Sequence, residues 1–254
     1  MVTVKGRPDG RRPDQLRPVK IARRYLKHAE GSCLIEVGDT RVLCAASIET
    51  GVPAWMDGGD RGWVTAEYAM LPRSTHTRSP RDGRGNRPVA RNLEIQRLVG
   101  RALRGVTDLA AVGERRVIVD CDVVQADGGT RAAAITGAYV ALYDAFLKLG
   151  IKNAQGKPPL NEAVAGVSAG IVDNQPLLDL CYDEDSRAEV DLNCAVTASG
   201  RLVEIQGTGE GRPFTVAEFG ALVELARGGA ALLNRLVTQL FERDLPAIRT
   251  HEGT

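Results

Sequence analysis

Aromatic side chains are scarce in this chain, with two Trp, five Tyr and four Phe among 254 residues. That scarcity argues against modules that read RNA mainly by base stacking. It leaves the core to Val, Leu, Ile and Ala, packed closely around 28 glycines. Histidine is scarcer still. His28, His76 and His251 are scattered, which leaves little material for a His-rich zinc site or a Ser-His-Asp triad. Any catalysis must therefore lean on carboxylates, arginines and backbone. The cysteines, Cys33, Cys44, Cys121, Cys181 and Cys194, include no Cys-x-x-Cys pair and are mostly flanked by Val, Leu or Ala, so they read as reduced core thiols. No stretch approaches the ~18 uninterrupted apolar residues of a membrane span. The segment Met1 to Gly10 is polar and basic. We expect a soluble, unexported, cytoplasmic protein with no membrane partner.

A hydrophobic share of 43% with 26% charged residues excludes a disordered or fibrous chain, and the length suits one large domain or two modest ones. The net charge of +1 hides a segregation. Residues 1–30 carry nine Lys/Arg against three acids, and residues 72–104 carry nine arginines against two acids, on an otherwise acidic body. Such tracts suggest a polyanion footprint. The exclusive use of arginine in the second tract suits bidentate phosphate contacts, a solvated face being the alternative.

Residues 33–48 alternate apolar and polar around Gly38-Asp39, a β-hairpin pattern that recurs at 164–180 around Asp173-Asn174-Gln175 and at 191–207 around Ser199-Gly200. Arg116 to Gln125 reads as a buried strand. Helices are expected over Asn92 to Arg104, over the nearly all-small or apolar Thr130 to Leu149, and from the capping-box spacing Thr215-Val-Ala-Glu218 to Phe241, with a break at Gly228-Gly229. Hairpins followed by helices in each half indicate a mixed α/β (α+β) chain, a single domain over 1–254 whose two similar halves meet near 150–161. The stretch from Ser74 to Pro88 is too rich in Pro, Gly, Asp and Asn for a core element and should be an exposed loop bearing Arg78, Arg81, Arg84 and Arg87.

Two constellations can carry chemistry. Asp127-Gly128-Gly129-Thr130-Arg131 stands between a strand and a helix, where glycine lets backbone N–H groups face a ligand. The helix start adds positive charge, and Arg131 can grip two phosphate oxygens. An ordinary turn with an N-cap has the same sequence. Asp183, Glu184, Asp185, Glu189 and Asp191 place five carboxylates within nine residues; a hard cation such as Mg²⁺ or Mn²⁺ would relieve their repulsion, or one could serve as a general acid. A solvated acidic loop fits equally well. Of the lesser candidates, His76 could contact RNA from its loop, while Trp55 and Trp63 favour packing over base stacking.

Several ordered blocks together carry a resemblance through nearly the whole chain. They are Arg7-Pro-Asp-Gly-Arg-Arg-Pro-Asp14, Tyr25-Leu-Lys-His-Ala-Glu-Gly31, Gly62-Trp-Val-Thr-Ala-Glu-Tyr68 and Met70-Leu-Pro-Arg-Ser-Thr-His-Thr-Arg78, then Glu94-Ile-Gln-Arg-Leu98, Asp120 to Arg131, Glu184-Asp-Ser186 and Glu204-Ile-Gln-Gly-Thr208. In this order they resemble the ribonuclease PH family of phosphorolytic 3′ exoribonucleases. The resemblance implies a ribonuclease PH-like fold, with Arg91, Gly129, Thr130 and Arg131 binding inorganic phosphate as co-substrate. It implies Asp185 and Asp191 as catalytic carboxylates holding Mg²⁺ (or Mn²⁺) or assisting the leaving group. By the same likeness Arg73, Arg78 and Arg81 guide the RNA 3′ end. The implied reaction is reversible phosphorolysis of tRNA precursors and other RNA, releasing nucleoside diphosphates, in a homo-hexamer built as a trimer of dimers. Two other functions stay open, a non-catalytic RNA-binding ring subunit and a hydrolytic metal-dependent exonuclease.

Overall fold

The computed structural model describes residues 6–56, 59–81 and 90–243; Arg84, Arg87 and His251 lie outside them. A strand not foreseen from the sequence, β1 (Val19–Arg23), pairs antiparallel with β2 (Gly31–Val37), which turns at Gly38-Asp39 into β3 (Thr40–Thr50). The second unforeseen strand, β4 (Trp63–Met70), runs parallel to β5 (Arg115–Gln125). A parallel pair needs a long crossover, and α1 (Ala90–Arg104) with the short α2 (Leu109–Val112) provides it. The five-stranded sheet has the order β1-β2-β3-β5-β4. Its β5 is buried on one face only, the odd positions Val117 to Val123, rather than throughout.

Helix α3 (Thr130–Leu149) leads to the second, antiparallel sheet of order β7-β6-β8-β9, formed by β6 (Val164–Val172), β7 (Gln175–Leu178), β8 (Val190–Thr197) and β9 (Leu202–Gly209). Between β7 and β8 a single turn of helix, α4 (Tyr182–Asp185), intervenes. The two foreseen hairpin turns close here; Asp173 (φ 51°) and Asn174 (φ 59°) take the left-handed conformations that a two-residue hairpin turn demands. Helix α3 packs on β2 and β3 with one side and on β6 with another, which explains its composition. By length and mean hydropathy it could cross a membrane, yet 78% of its most apolar window is buried inside the protein.

Helix α5 (Val216–Glu242) covers β6, β7 and β8. Its capping box is present, with Thr215 accepting from the Glu218 amide at 3.2 Å and the Glu218 carboxylate accepting from the Thr215 amide at 2.7 Å. The expected break at Gly228-Gly229 does not occur. Gly229 stays helical, and the helix crosses β7 so closely there that a Cβ would stand 2.9 Å from Leu178. Near the helix end Phe241 stacks on Tyr143 of α3 with centroids 3.7 Å apart.

Part of the first basic tract is turned inward, while Arg12, Lys20, Arg24 and Lys27 stay exposed. Arg17 is buried and grips Asp179 through Nη2 at 2.7 Å and Nε at 3.1 Å, while its own amide donates to the same carboxylate at 2.7 Å. Arg7 is buried against Glu184 in a two-pronged pair at 2.7 and 2.8 Å. Arg23 pairs with Asp144 of α3. Three guanidinium groups of the amino-terminal segment thus act as internal clamps on residues more than a hundred positions away. Burying two charges is worthwhile only if they meet, and stranding one typically costs about 3–5 kcal/mol. Asp179→Ala should lower stability to urea by that amount, roughly 3–5 kcal/mol. Arg12→Ala, which removes an exposed pair with Asp14, should cost under about 1 kcal/mol. Equal losses in the two variants would refute the clamp.

Candidate functional site

Strand register builds the floor of the site. On the second sheet Ala165, Val167, Ala169 and Ile171 belong to the core shared with α5, which turns the alternate residues to the opposite face. Across that face Gly170, Asp191 and Thr208 form one row and Ser168, Asn193 and Gln206 the next. The first turn of α3 descends on this face; a Cβ on Gly166 would stand 2.4 Å from the Ala132 carbonyl.

The Gly128-Gly129 turn sits beside the Ser168 row. Both glycines are left-handed, at φ 73° and 64°, and a Cβ on Gly128 would meet the Leu180 carbonyl at 2.5 Å. Only glycine fits. The turn is anchored from several sides: Thr40 donates to the Gly128 carbonyl at 2.6 Å, and Arg17 donates to the carbonyls of Asp127 and Gly128. Gly129 is the N-cap of α3 and brings no capping side chain, so the first-turn N–H groups are left for a ligand.

A cleft of about 260 Å³ opens over this floor and brings together Arg91, Gly129, Thr130, Arg131, Asp185 and Asp191. The Thr130 hydroxyl is buried and hydrogen bonded to that of Tyr68 at 2.8 Å. Arg131 is oriented by a 2.5 Å bond to Gln206 and lies 3.7 Å from Glu94, one helical turn beyond Arg91 on α1. Arg73, Arg78 and Arg81 are exposed and do not line the cleft. Their loop reaches it through Thr75, while its His76 ring packs on Tyr182. Thr75, Ser168, Tyr182 and Asn193 also line it without having been singled out as site residues. The Ser168 hydroxyl is buried beneath this lining with no hydrogen-bond partner among the described residues.

The five-carboxylate tract divides by partner. Burial alone would raise the Glu184 carboxyl, but Arg7 holds it below the usual range. Glu189 accepts from Arg212 at 2.7 Å. Asp183 is exposed. That leaves Asp185 and Asp191 at the cleft. Burial pushes Asp185 up, against the pull of Arg91 and Arg131. Burial, reinforced by the charge of Asp185, pushes Asp191 up to about 6, although Asn193 donates to it at 2.9 Å. Two carboxylates without His or Cys suit a hard cation that keeps most of its water and shares a phosphate ligand. Among the described residues no cluster of three or more His, Cys, Asp or Glu side chains offers a fuller cage.

Fold and site together place an uncapped helix start and two arginines in one cleft with a carboxylate pair, on two sheets joined by a buried helix. The 3′ exoribonuclease family RNase PH matches this chain twice, its domain 1 over residues 15–148 and its domain 2 over residues 162–229. The chain belongs to that family. Among solved structures it resembles an archaeal exosome from Archaeoglobus fulgidus with RNA bound to the active site, at 25% identity and a TM-score of 0.77, over 93% of this chain and 92% of that one. It also resembles an archaeal exosome core, at 24% identity and a TM-score of 0.74, over 92% and 91% of the two chains. Rice Rrp46 aligns at 20% identity and a TM-score of 0.72, over 93% and 98%.

Because the folded Asp191 holds its proton more tightly than the ordinary value of 3.8, its own contribution to stability should be lost as pH rises from about 4 to about 6, so that Asp191→Asn removes that part of the pH dependence. In metal-free protein, carbon-13 NMR should show Asp191 titrating near 6, and Asp185→Asn should bring that midpoint down. A midpoint near 4 in the parent would remove the coupling.

Proposed function

We propose that this protein is a phosphate-dependent 3′→5′ exoribonuclease that trims tRNA precursors and other RNA. The observation that carries the reading is one cleft holding an uncapped helix start, Arg91 and Arg131 opposite Asp185 and Asp191. A hydrolase has no need of an anion cradle. Phosphorolysis must bring a free phosphate dianion up to a phosphodiester, and its first difficulty is that repulsion. Backbone N–H groups of the first turn of α3, with the two arginines, bind the incoming phosphate and aim one oxygen at the last phosphodiester. A bond forms from that oxygen to phosphorus as the bond to O3′ of the penultimate nucleotide breaks. The products are a nucleoside diphosphate and an RNA one residue shorter. Because the diphosphate keeps a phosphoanhydride, the same site can run backwards and extend a 3′ end.

Asp185 and Asp191 would hold Mg²⁺ or Mn²⁺, which when bound supplies positive charge to the departing oxygen. Gln206 keeps Arg131 extended into the cleft, and Asn193 orients Asp191. The exposed Arg73, Arg78 and Arg81 guide the RNA toward the opening. We further infer a cytoplasmic homo-hexamer, a trimer of dimers. Its support is the likeness to exosome chains, five free thiols, and exposed apolar residues such as Leu26 and Leu147 that share one surface groove. A second reading, a ring subunit that binds RNA without cleaving it, is favoured by that same likeness.

Incubation of the protein and Mg²⁺ with a tRNA precursor labelled at its 3′ end should release diphosphates only when inorganic phosphate is present. Monophosphates without phosphate would mean hydrolysis, and no release would favour the binding subunit. Arg131→Ala should raise the phosphate KM by roughly 10- to 100-fold with RNA affinity nearly intact. An unchanged phosphate dependence would disprove its assignment. Arg78→Ala with Arg81→Ala should weaken tRNA binding and flatten its salt dependence, and an unaltered slope would take the loop off the RNA path.

A further inference from the structure

One aromatic side chain in this aromatic-poor protein is placed where an apolar core has no use for it. Tyr182 is 50% exposed, lines the cleft and stands three residues before Asp185 on the one-turn helix α4. Its backbone is fixed, since the Tyr182 amide donates to Asp127 at 3.1 Å and its carbonyl accepts from the Ser186 amide at 2.9 Å. Its ring is met by the exposed imidazole of His76, 5.9 Å between centroids and inclined at 53°. That imidazole comes from the arginine loop, so the two rings join the carboxylate side of the cleft to the RNA-guiding side.

A flat, half-exposed ring on a rigid mount is what a nucleobase stacks on, and such stacking tolerates every base because each has a π-face. We propose that Tyr182, flanked by His76, is the stacking platform for the unpaired terminal base of the RNA 3′ end. The inference rests on the exoribonuclease reading and adds the subsite that receives the base. The nucleoside carrying that base is the one whose 5′ phosphate is attacked, so a base held beside Asp185 sets the phosphodiester at the carboxylate pair. The platform also states the substrate class. A terminal base must be unpaired to reach Tyr182, so ends closed in a duplex are excluded and every single-stranded end is admitted.

The test measures equilibrium binding of the full-length protein to a fluorescent RNA with a single-stranded 3′ end, in the absence of phosphate. A second RNA is identical but lacks the terminal base. Tyr182→Ala should weaken binding of the complete RNA about tenfold. Omitting the base should weaken binding to the parent protein equally, and the two changes together should cost no more than either alone. Tyr182→Phe should bind like the parent, whereas Tyr182→Leu, which keeps apolar bulk without a flat face, should behave like Ala. Unaltered affinity in Tyr182→Ala, or an equal loss on the RNA without its terminal base, overturns the platform. Should Tyr182→Ala fail to fold, the comparison of Phe with Leu decides the same question. Failure of the phosphorolysis reading appears separately, as monophosphate products from the parent protein, and leaves this binding result to stand or fall alone.

Discussion

The pairing of Arg17 with Asp179 holds the amino-terminal segment, the Gly128-Gly129 turn and the second sheet in one arrangement. A single guanidinium reaches both oxygens of Asp179 and the carbonyls of residues 127 and 128. Asp179 itself has a left-handed backbone at φ 54°, a conformation that a non-glycine residue keeps only when its surroundings impose it. As a source of stability the arrangement is poor, because removing two ions from water costs several kcal/mol each and an apolar pair of the same size would do as well. Its value is positional. Arg7 extends the same logic to α4 through Glu184, the residue next to Asp185. Arg7 and Arg17 of the amino-terminal tract therefore shape the cleft from inside the protein.

This also explains why charge counting along the sequence misplaced that tract. The excess of Lys and Arg over residues 1–30 is real, but Arg17 and Arg7 find their acids 162 and 177 positions away. No local window can see such partners. Features with local causes were legible. The turns at Gly38-Asp39 and Asp173-Asn174, the strand alternation beside them, the long apolar α3 and the capping box at Thr215 all carry their reason within a few residues. By contrast β1 is five residues of half-buried edge inside the basic tract, and β4 follows a turn-rich stretch that drew attention away from it. The continuous α5 packs closely at Gly229 on Leu178, which only the fold brings there.

The site divides in the same way. The Gly128 to Arg131 segment announces itself because the turn and the helix start are contiguous. Spacing within the acidic tract could not say which carboxylates remain at the cleft, and the family resemblance had to choose Asp185 and Asp191. Physically, the choice is made by Arg7 taking Glu184 and Arg212 taking Glu189. Ser168 and Asn193 carried no signal, and Gln206 stood only within the block Glu204 to Thr208 with no role attached to it. They are ordinary strand residues that share a row only through the register of three strands.

The distribution of neutral and charged groups across the cleft has its own logic. Arg91, Arg131 and the start of α3 line the cleft together with Asp185 and Asp191, and its other lining residues, Ser168 and Asn193 among them, carry no charge. Asn193 fixes Asp191 with a hydrogen bond where a lysine would have done so with a charge. The difference matters because a fixed lysine there would neutralise Asp191 and leave the pair less able to hold the Mg²⁺ or Mn²⁺ proposed for it. A neutral donor holds the carboxylate in place and leaves its charge available. On the proposed reaction two anions must meet in this cleft, and the arginines with the helix start would receive one while a metal at the carboxylate pair would offset the charge growing at the bond that breaks.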